Sequence, residues 1–125
     1  MHEDPTRKVM IIEEDPNYRA LLQHILKGLN CMVVGVESGG DEAIDLFERK
    51  RPDVVLLNIT IPLEHGLEVL RGLKKINSNV MVIMITNVTE ENTVKKCIQA
   101  GVDGYILKGS TDAEIRHRLA NLINL

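Results

Sequence analysis

The residue with the most chemical consequence is Asn58, which ends the run DVVLLN and is followed by the loop ITIPLEHG. The stretch Val54 to Leu57 is apolar and reads as a buried strand, and Pro62 and Gly66 then shape a turn before a helix. A polar residue at the mouth of such a strand is aimed at a crevice. An aspartate there could bind a cation and attack phosphorus. An asparagine does the first weakly and the second hardly at all, because an amide oxygen is a poor nucleophile. The position holds an amide.

Four further polar residues stand at the ends of apolar runs. Glu13 and Glu14 follow KVMII, Thr86 ends VMVIMIT, and Lys108 follows GYIL. An acidic pair can bind a hard cation. A hydroxyl and a lysine can hold anionic oxygens. Whether these residues meet depends on the elements that carry them.

Short β-branched runs alternate with longer amphipathic stretches along the whole chain. KVMII, CMVVGV, DVVLL, VMVIMI and GYIL read as five strands. Asp15 caps the first helix with Pro16 at its first position, burying Leu21, Leu22, Ile25, Leu26 and Leu29. Ser38 or Gly39 opens the second, which buries Ala43, Leu46 and Phe47. The third runs from Gly66 to Lys75 with Leu67, Leu70 and Leu73 inward. Thr89 caps the fourth, which carries Val94, Cys97 and Ile98 and is ended by Gly101. Thr111 and Glu114 form a capping box for the fifth, with Ile115, Leu119 and Leu122 inward.

Five βα units predict a doubly wound α/β fold, a five-stranded parallel sheet with five helices on its two faces. The usual order for five strands is 2-1-3-4-5, with the switch point between strands one and three. That topology sets EEDPN beside Asn58, with Glu13 and Glu14 facing the amide, and brings Thr86 and Lys108 to the same crevice.

Composition excludes several function classes. The 125 residues read as one domain, 1–125 with a core of about 7–124, and no linker or repeat interrupts it. A net charge of −3 gives no general drive toward nucleic acid or anionic membrane. Aromatic residues make up 2%, with no Trp, so stacking on bases is not expected. No apolar run approaches the roughly 18 residues that span a bilayer. The opening MHEDPTRK has neither the charge pattern nor the apolar run of a signal peptide. Cys31 and Cys97 lie far apart and read as buried thiols in a reducing cytosol. His2, His24, His65 and His117 show no metal-ligand spacing and read as surface residues. Lys95, Lys96, Arg116 and Arg118 read as solvated helix faces, or as part of a partner surface.

The stretches VMIIEEDPNYRALL, PDVVLLNITIPLEHGLEVL, VMVIMIT and AGVDGYILKG, in register from about Arg7 to Asn124, resemble the receiver domain of two-component response regulators. The resemblance implies the flavodoxin-like receiver fold. It places the Mg²⁺-binding acidic pair on Glu13 and Glu14, with the backbone carbonyl of Thr60 as a third ligand. It puts the phosphoacceptor at Asn58, the phosphoryl-oxygen ligands at Thr86 and Lys108, and the aromatic switch at Tyr105. Three departures stand out. Asn58 replaces the acceptor aspartate, Glu13–Glu14 replaces the commoner aspartate pair, and Gly109 follows Lys108 where many members have proline. Asn58 bars the acyl phosphate, and two carboxylates in place of three leave a weak Mg²⁺ site.

The expectation is a cytoplasmic pseudo-receiver that signals by protein contact, with no catalytic residue and no required cofactor. Its partners would be a histidine kinase or another signalling protein, with a homodimer through the last two βα units as a further option. An alternative is an ordinary phosphorelay receiver whose aspartate was changed by design, although Glu13–Glu14 favours a natural origin. GYILKG is similar to receivers joined to helix-turn-helix output domains, but nothing in this chain is expected to bind DNA. A flavodoxin-like redox domain would need a Ser-, Thr- or Gly-rich phosphate loop where EEDPN stands. A phosphoryl-transfer enzyme would need a nucleophile, which Asn58 is not.

Overall fold

A computed structural model describes residues 7–58 and 63–123. Ten elements alternate along the described chain. They are β1 (Lys8–Ile12), α1 (Pro16–Gly28), β2 (Met32–Glu37), α2 (Gly40–Lys50), β3 (Val54–Leu57), α3 (Leu63–Ile76), β4 (Met81–Thr86), α4 (Glu91–Gln99), β5 (Gly104–Leu107) and α5 (Asp112–Ile123). All neighbouring strands pair in parallel, in the order β2-β1-β3-β4-β5. This is the doubly wound order expected from the alternation, with the switch point between β1 and β3.

Side-chain alternation divides the core into two layers. Met10, Ile12, Val55, Leu57, Val82 and Met84 point to one face, where they meet Phe47, Leu67, Leu70, Leu73 and Cys97. Val9, Ile11, Val54, Leu56, Ile83 and Ile85 point to the other, against Leu22, Ile25 and Leu26 of α1 and Ile115, Leu119 and Ile123 of α5. The three central strands are therefore apolar along their buried lengths up to Thr86 at the end of β4, as a sheet covered on both faces requires. On the edge strands two glycines let helices close in. A Cβ on Gly35 would lie 2.7 Å from Leu46, and one on Gly104 would lie 2.6 Å from Leu122.

Several boundaries differ from the sequence expectation. α3 begins at Leu63 and not at Gly66, so Gly66 lies inside the helix. One interior glycine costs a helix only about 1 kcal/mol, which tertiary packing overrides. The expected turn residue Pro62 lies outside the described residues. The cap of α4 is Glu90, one residue after Thr89, because the Glu90 carboxylate reaches both Asn92 N (3.1 Å) and Thr93 Oγ1 (3.0 Å). Ile98 is 60% exposed, while Thr93 and Cys97, four residues apart, form the inward edge of α4. Asp15 caps α1 as expected, accepting from Asn17 N at 2.9 Å. The Thr111–Glu114 box is present at α5, with Glu114 N donating to Thr111 Oγ1 at 3.1 Å.

Candidate functional site at the carboxyl edge of the sheet

Backbone hydrogen bonds continue the ladder past the strand ends and fix the site residues. Glu13 N donates to Glu37 O (2.8 Å), Asn58 N to Ile12 O (3.0 Å) and Lys108 N to Thr86 O (2.9 Å). Strand alternation then decides which side chains meet. Glu13 continues the series Val9, Ile11; Asn58 continues Val54, Leu56; Lys108 follows Ile106 by two. All three series belong to the α1–α5 face.

On that face the three side chains form one cluster. Glu13 is buried, with 2% exposure. Its Oε1 lies 2.8 Å from Lys108 Nζ, a contact ion pair of charges not aligned as a hydrogen bond. Its Oε2 accepts from Asn58 Nδ2 at 3.2 Å and from Asp15 N at 3.0 Å. The amide of Asn58 donates here, which an ionised carboxylate could not do. A lysine–glutamate ion pair and an amide–glutamate hydrogen bond are thus both present.

Glu14 is exposed, so the contact with Asn58 comes from Glu13 and not from the acidic pair as a whole. Successive residues leaving a strand point to opposite sides, which separates the two carboxylates. Thr60 lies outside the described residues. Among the described residues no group of three or more His, Cys, Asp or Glu side chains is placed to hold a metal ion. The one buried carboxylate of the described site is engaged at both oxygens by an ammonium, an amide and a backbone N–H. Among the described residues this donor set does not fit a divalent cation, which needs several oxygen ligands and uncompensated negative charge.

Thr86 and Tyr105 belong to the opposite side of the sheet. Thr86 continues the series Val82, Met84, and Tyr105 packs against that same core layer. Both grip one residue of the loop after β4. Thr86 Oγ1 accepts from Val88 N at 3.2 Å, and Tyr105 OH donates to Val88 O at 2.7 Å. Burial, and then nearby Cys97, raises the Tyr105 phenol above its ordinary pKa, so it stays a donor at neutral pH.

One site residue has no sequence expectation behind it. Tyr18, in the first turn of α1, places its ring beneath Lys108, with Nζ 4.6 Å from the ring centroid. Its hydroxyl is buried without a hydrogen-bond partner among the described residues. Burial first, then the charges of Glu13 and Asp112, push its pKa up. A tyrosine shortly after a helix cap at the switch-point loop was the available signal.

The remaining candidates are peripheral. Cys31 and Cys97 are buried free thiols whose pKa values burial pushes up, which makes them unreactive. His24, His65 and His117 are exposed, and His2 lies outside the described residues. Lys95, Lys96, Arg116 and Arg118 are exposed; Lys95 pairs with Glu91 at 3.4 Å and Arg118 donates to Tyr105 O at 3.1 Å. No helix of the described residues is long and apolar enough to cross a membrane.

The fold agrees with what the chain is similar to. It is 25% identical to protein CcdB of Bacillus subtilis, over 93% of this chain and 97% of that protein. It is 32% identical to response regulator UvrY of Escherichia coli over 86% of this chain, which spans 50% of UvrY. Among solved structures, a chain of the CheX–CheY–BeF3–Mg²⁺ complex of Borrelia burgdorferi matches with TM-score 0.85. That match has 24% identity and covers 94% of this chain and 89% of that one, a likeness of fold. The family model for the response regulator receiver domain matches residues 9–120, nearly the whole sheet and its helices, and the chain belongs to that family.

Proposed function

We propose that this chain is a pseudo-receiver, a two-component signalling domain that works through protein contact and is not phosphorylated at Asn58. The observation that carries this reading is the bond from Asn58 Nδ2 to Glu13 Oε2 at 3.2 Å. The group at the acceptor position is an amide, and its donor is turned toward the only buried carboxylate of the described site. An acyl phosphate forms on a carboxylate oxygen, and an amide lacks both the charge and the nucleophilicity for it.

In this reading the domain is not an enzyme, requires no cofactor and binds Mg²⁺ weakly. It works in the cytoplasm, and its partner is a histidine kinase or another signalling protein rather than nucleic acid. The stretch from α4 through α5 supports a protein-contact surface, and with it a homodimer. Ile98 and Leu107 are large apolar side chains exposed there, at 60% and 39%, beside the exposed cations Lys95, Lys96, Arg116 and Arg118. Thr86 and Tyr105 together hold the Val88 backbone just ahead of α4, at the start of that surface. The assembly of the Borrelia CheY with CheX supports protein contact as the mode of action.

Incubation with acetyl phosphate and Mg²⁺, followed by intact-mass spectrometry, tests the reading. The expected spectrum shows only the unmodified mass. A phosphoryl adduct labile to hydroxylamine and mapping to residue 58 would overturn it.

A further inference from the structure

We propose that the ammonium of Lys108 is the built-in cation of this site, positioned by Tyr18, and that it makes the site independent of a divalent ion. The inference deepens the reading that the domain binds Mg²⁺ weakly but does not depend on whether Asn58 accepts phosphate, so the Mg²⁺ melts and the phosphodonor test fail distinguishably.

The Glu13 side chain is 1% exposed and that of Lys108 is 14% exposed, so their charges meet largely out of water. A buried carboxylate needs a counter-charge, and removing the partner of such a pair is strongly destabilising. In a receiver site a metal ion could supply that charge. Here Lys108 Nζ supplies it, 2.8 Å from Oε1. A divalent ion bound to Glu13 would have to displace the ammonium or sit against it, and like charges at such range repel strongly.

Displacement is also opposed by Tyr18. The ring face, 4.6 Å from Nζ, attracts the cation through its quadrupole. The placement of that ring is set by the start of α1. Asp15 caps the helix through Asn17 N, Pro16 fixes the first turn, and Asp15 N itself donates to Glu13 Oε2 at 3.0 Å. One short segment therefore carries both the carboxylate and the aromatic face between which the ammonium is held. Tyr18 touches neither a substrate nor a metal; it is a positioning residue that acts through Lys108.

Thermal denaturation tests this with four proteins: the parent, Lys108→Met, Tyr18→Leu and Tyr18→Phe. Each is melted with chelator in NaCl, and with about 10 mM Mg²⁺ at the same ionic strength. The parent and Tyr18→Phe, which keeps the ring, should shift by less than about 1 °C. Lys108→Met removes the counter-charge of Glu13 and should rise by about 1–3 °C. Tyr18→Leu, with a less firmly held ammonium, should rise by more than about 1 °C. A parent that rises as far as Lys108→Met, or a Lys108→Met protein that ignores Mg²⁺, overturns the proposal. Tyr18→Leu behaving like the parent overturns the role of Tyr18. Should Lys108→Met fail to fold, the contrast between parent, Tyr18→Leu and Tyr18→Phe decides the matter.

Discussion

A carboxylate at position 58 should destabilise the metal-free protein. In the parent, Asn58 Nδ2 donates to Glu13 Oε2 at 3.2 Å. Asn58→Asp replaces that donor with an anionic oxygen, so two acceptors face each other. Two unit charges at that distance repel by about 5 kcal/mol at an effective dielectric of about 20. The protein has an escape, since one carboxyl can take a proton. At pH 7 this limits the cost to about 4 kcal/mol, the work of protonating an ordinary aspartate. Lys108, already 2.8 Å from the other Glu13 oxygen, offsets part of the added charge. A net loss of about 1–3 kcal/mol follows, or a melting temperature lower by roughly 4–12 °C. The pH dependence has a definite sign. The introduced carboxyl would have a folded pKa raised by Glu13, so the penalty is absent below the unfolded value near about 3.9 and grows as pH rises toward the folded value, where it levels off. Mg²⁺ should recover much of the loss, because it meets two carboxylates in place of one. Thermal melts of both proteins across pH, with chelator and with Mg²⁺, measure this. An Asn58→Asp protein as stable as the parent at pH 7 without metal would refute the charge argument.

Two further perturbations probe other parts of the structure. Asp103 Oδ2 accepts from Lys74 Nζ (2.8 Å) and from Val82 N (2.8 Å), while Lys74 Nζ also donates to Val80 O (2.6 Å). Asp103→Ala should therefore cost about 1–3 kcal/mol in chemical denaturation, and a loss within error of zero would show that water replaces the staple. Burial raises the pKa of both Tyr18 and Tyr105, so the stability they confer is complete below about pH 10 and lost as pH rises through their folded values. Tyr18→Phe should flatten that alkaline loss, read by thermal melts from neutral to alkaline pH, and an unchanged slope would remove Tyr18 from the linkage.

The parallel sheet and its order were legible because the strand signal was strong. VVLL and VMVIMI are apolar at every position, which only a doubly covered strand sustains. The same topology brings Glu13, Asn58 and Lys108 to one edge of the sheet. What the sequence did not disclose was which side of the sheet each residue would take. Thr86 and Tyr105 fall on one side and Glu13, Asn58 and Lys108 on the other, a division set by the phase of each strand at its end. Glu14 was lost from the cluster for the same reason. Ile98 faces outward because α4 has few apolar residues, so its inward face is chosen by Thr93 and Cys97 packing and not by a broad stripe. Tyr18 was missed because its part depends on a through-space contact with Lys108, at the far end of the chain.

The central claim is that the acceptor position is an amide bound to Glu13 and closed to phosphoryl transfer. The side-chain NH₂ resonances of Asn58 report on it directly. In ¹⁵N-labelled protein these signals, with the backbone amides of Glu13 and Lys108, can be followed as Mg²⁺ and then acetyl phosphate are added. They should persist with little change through both additions. Loss of the Asn58 side-chain pair, with large shifts at Glu13 and Lys108 once the donor is present, would contradict the account.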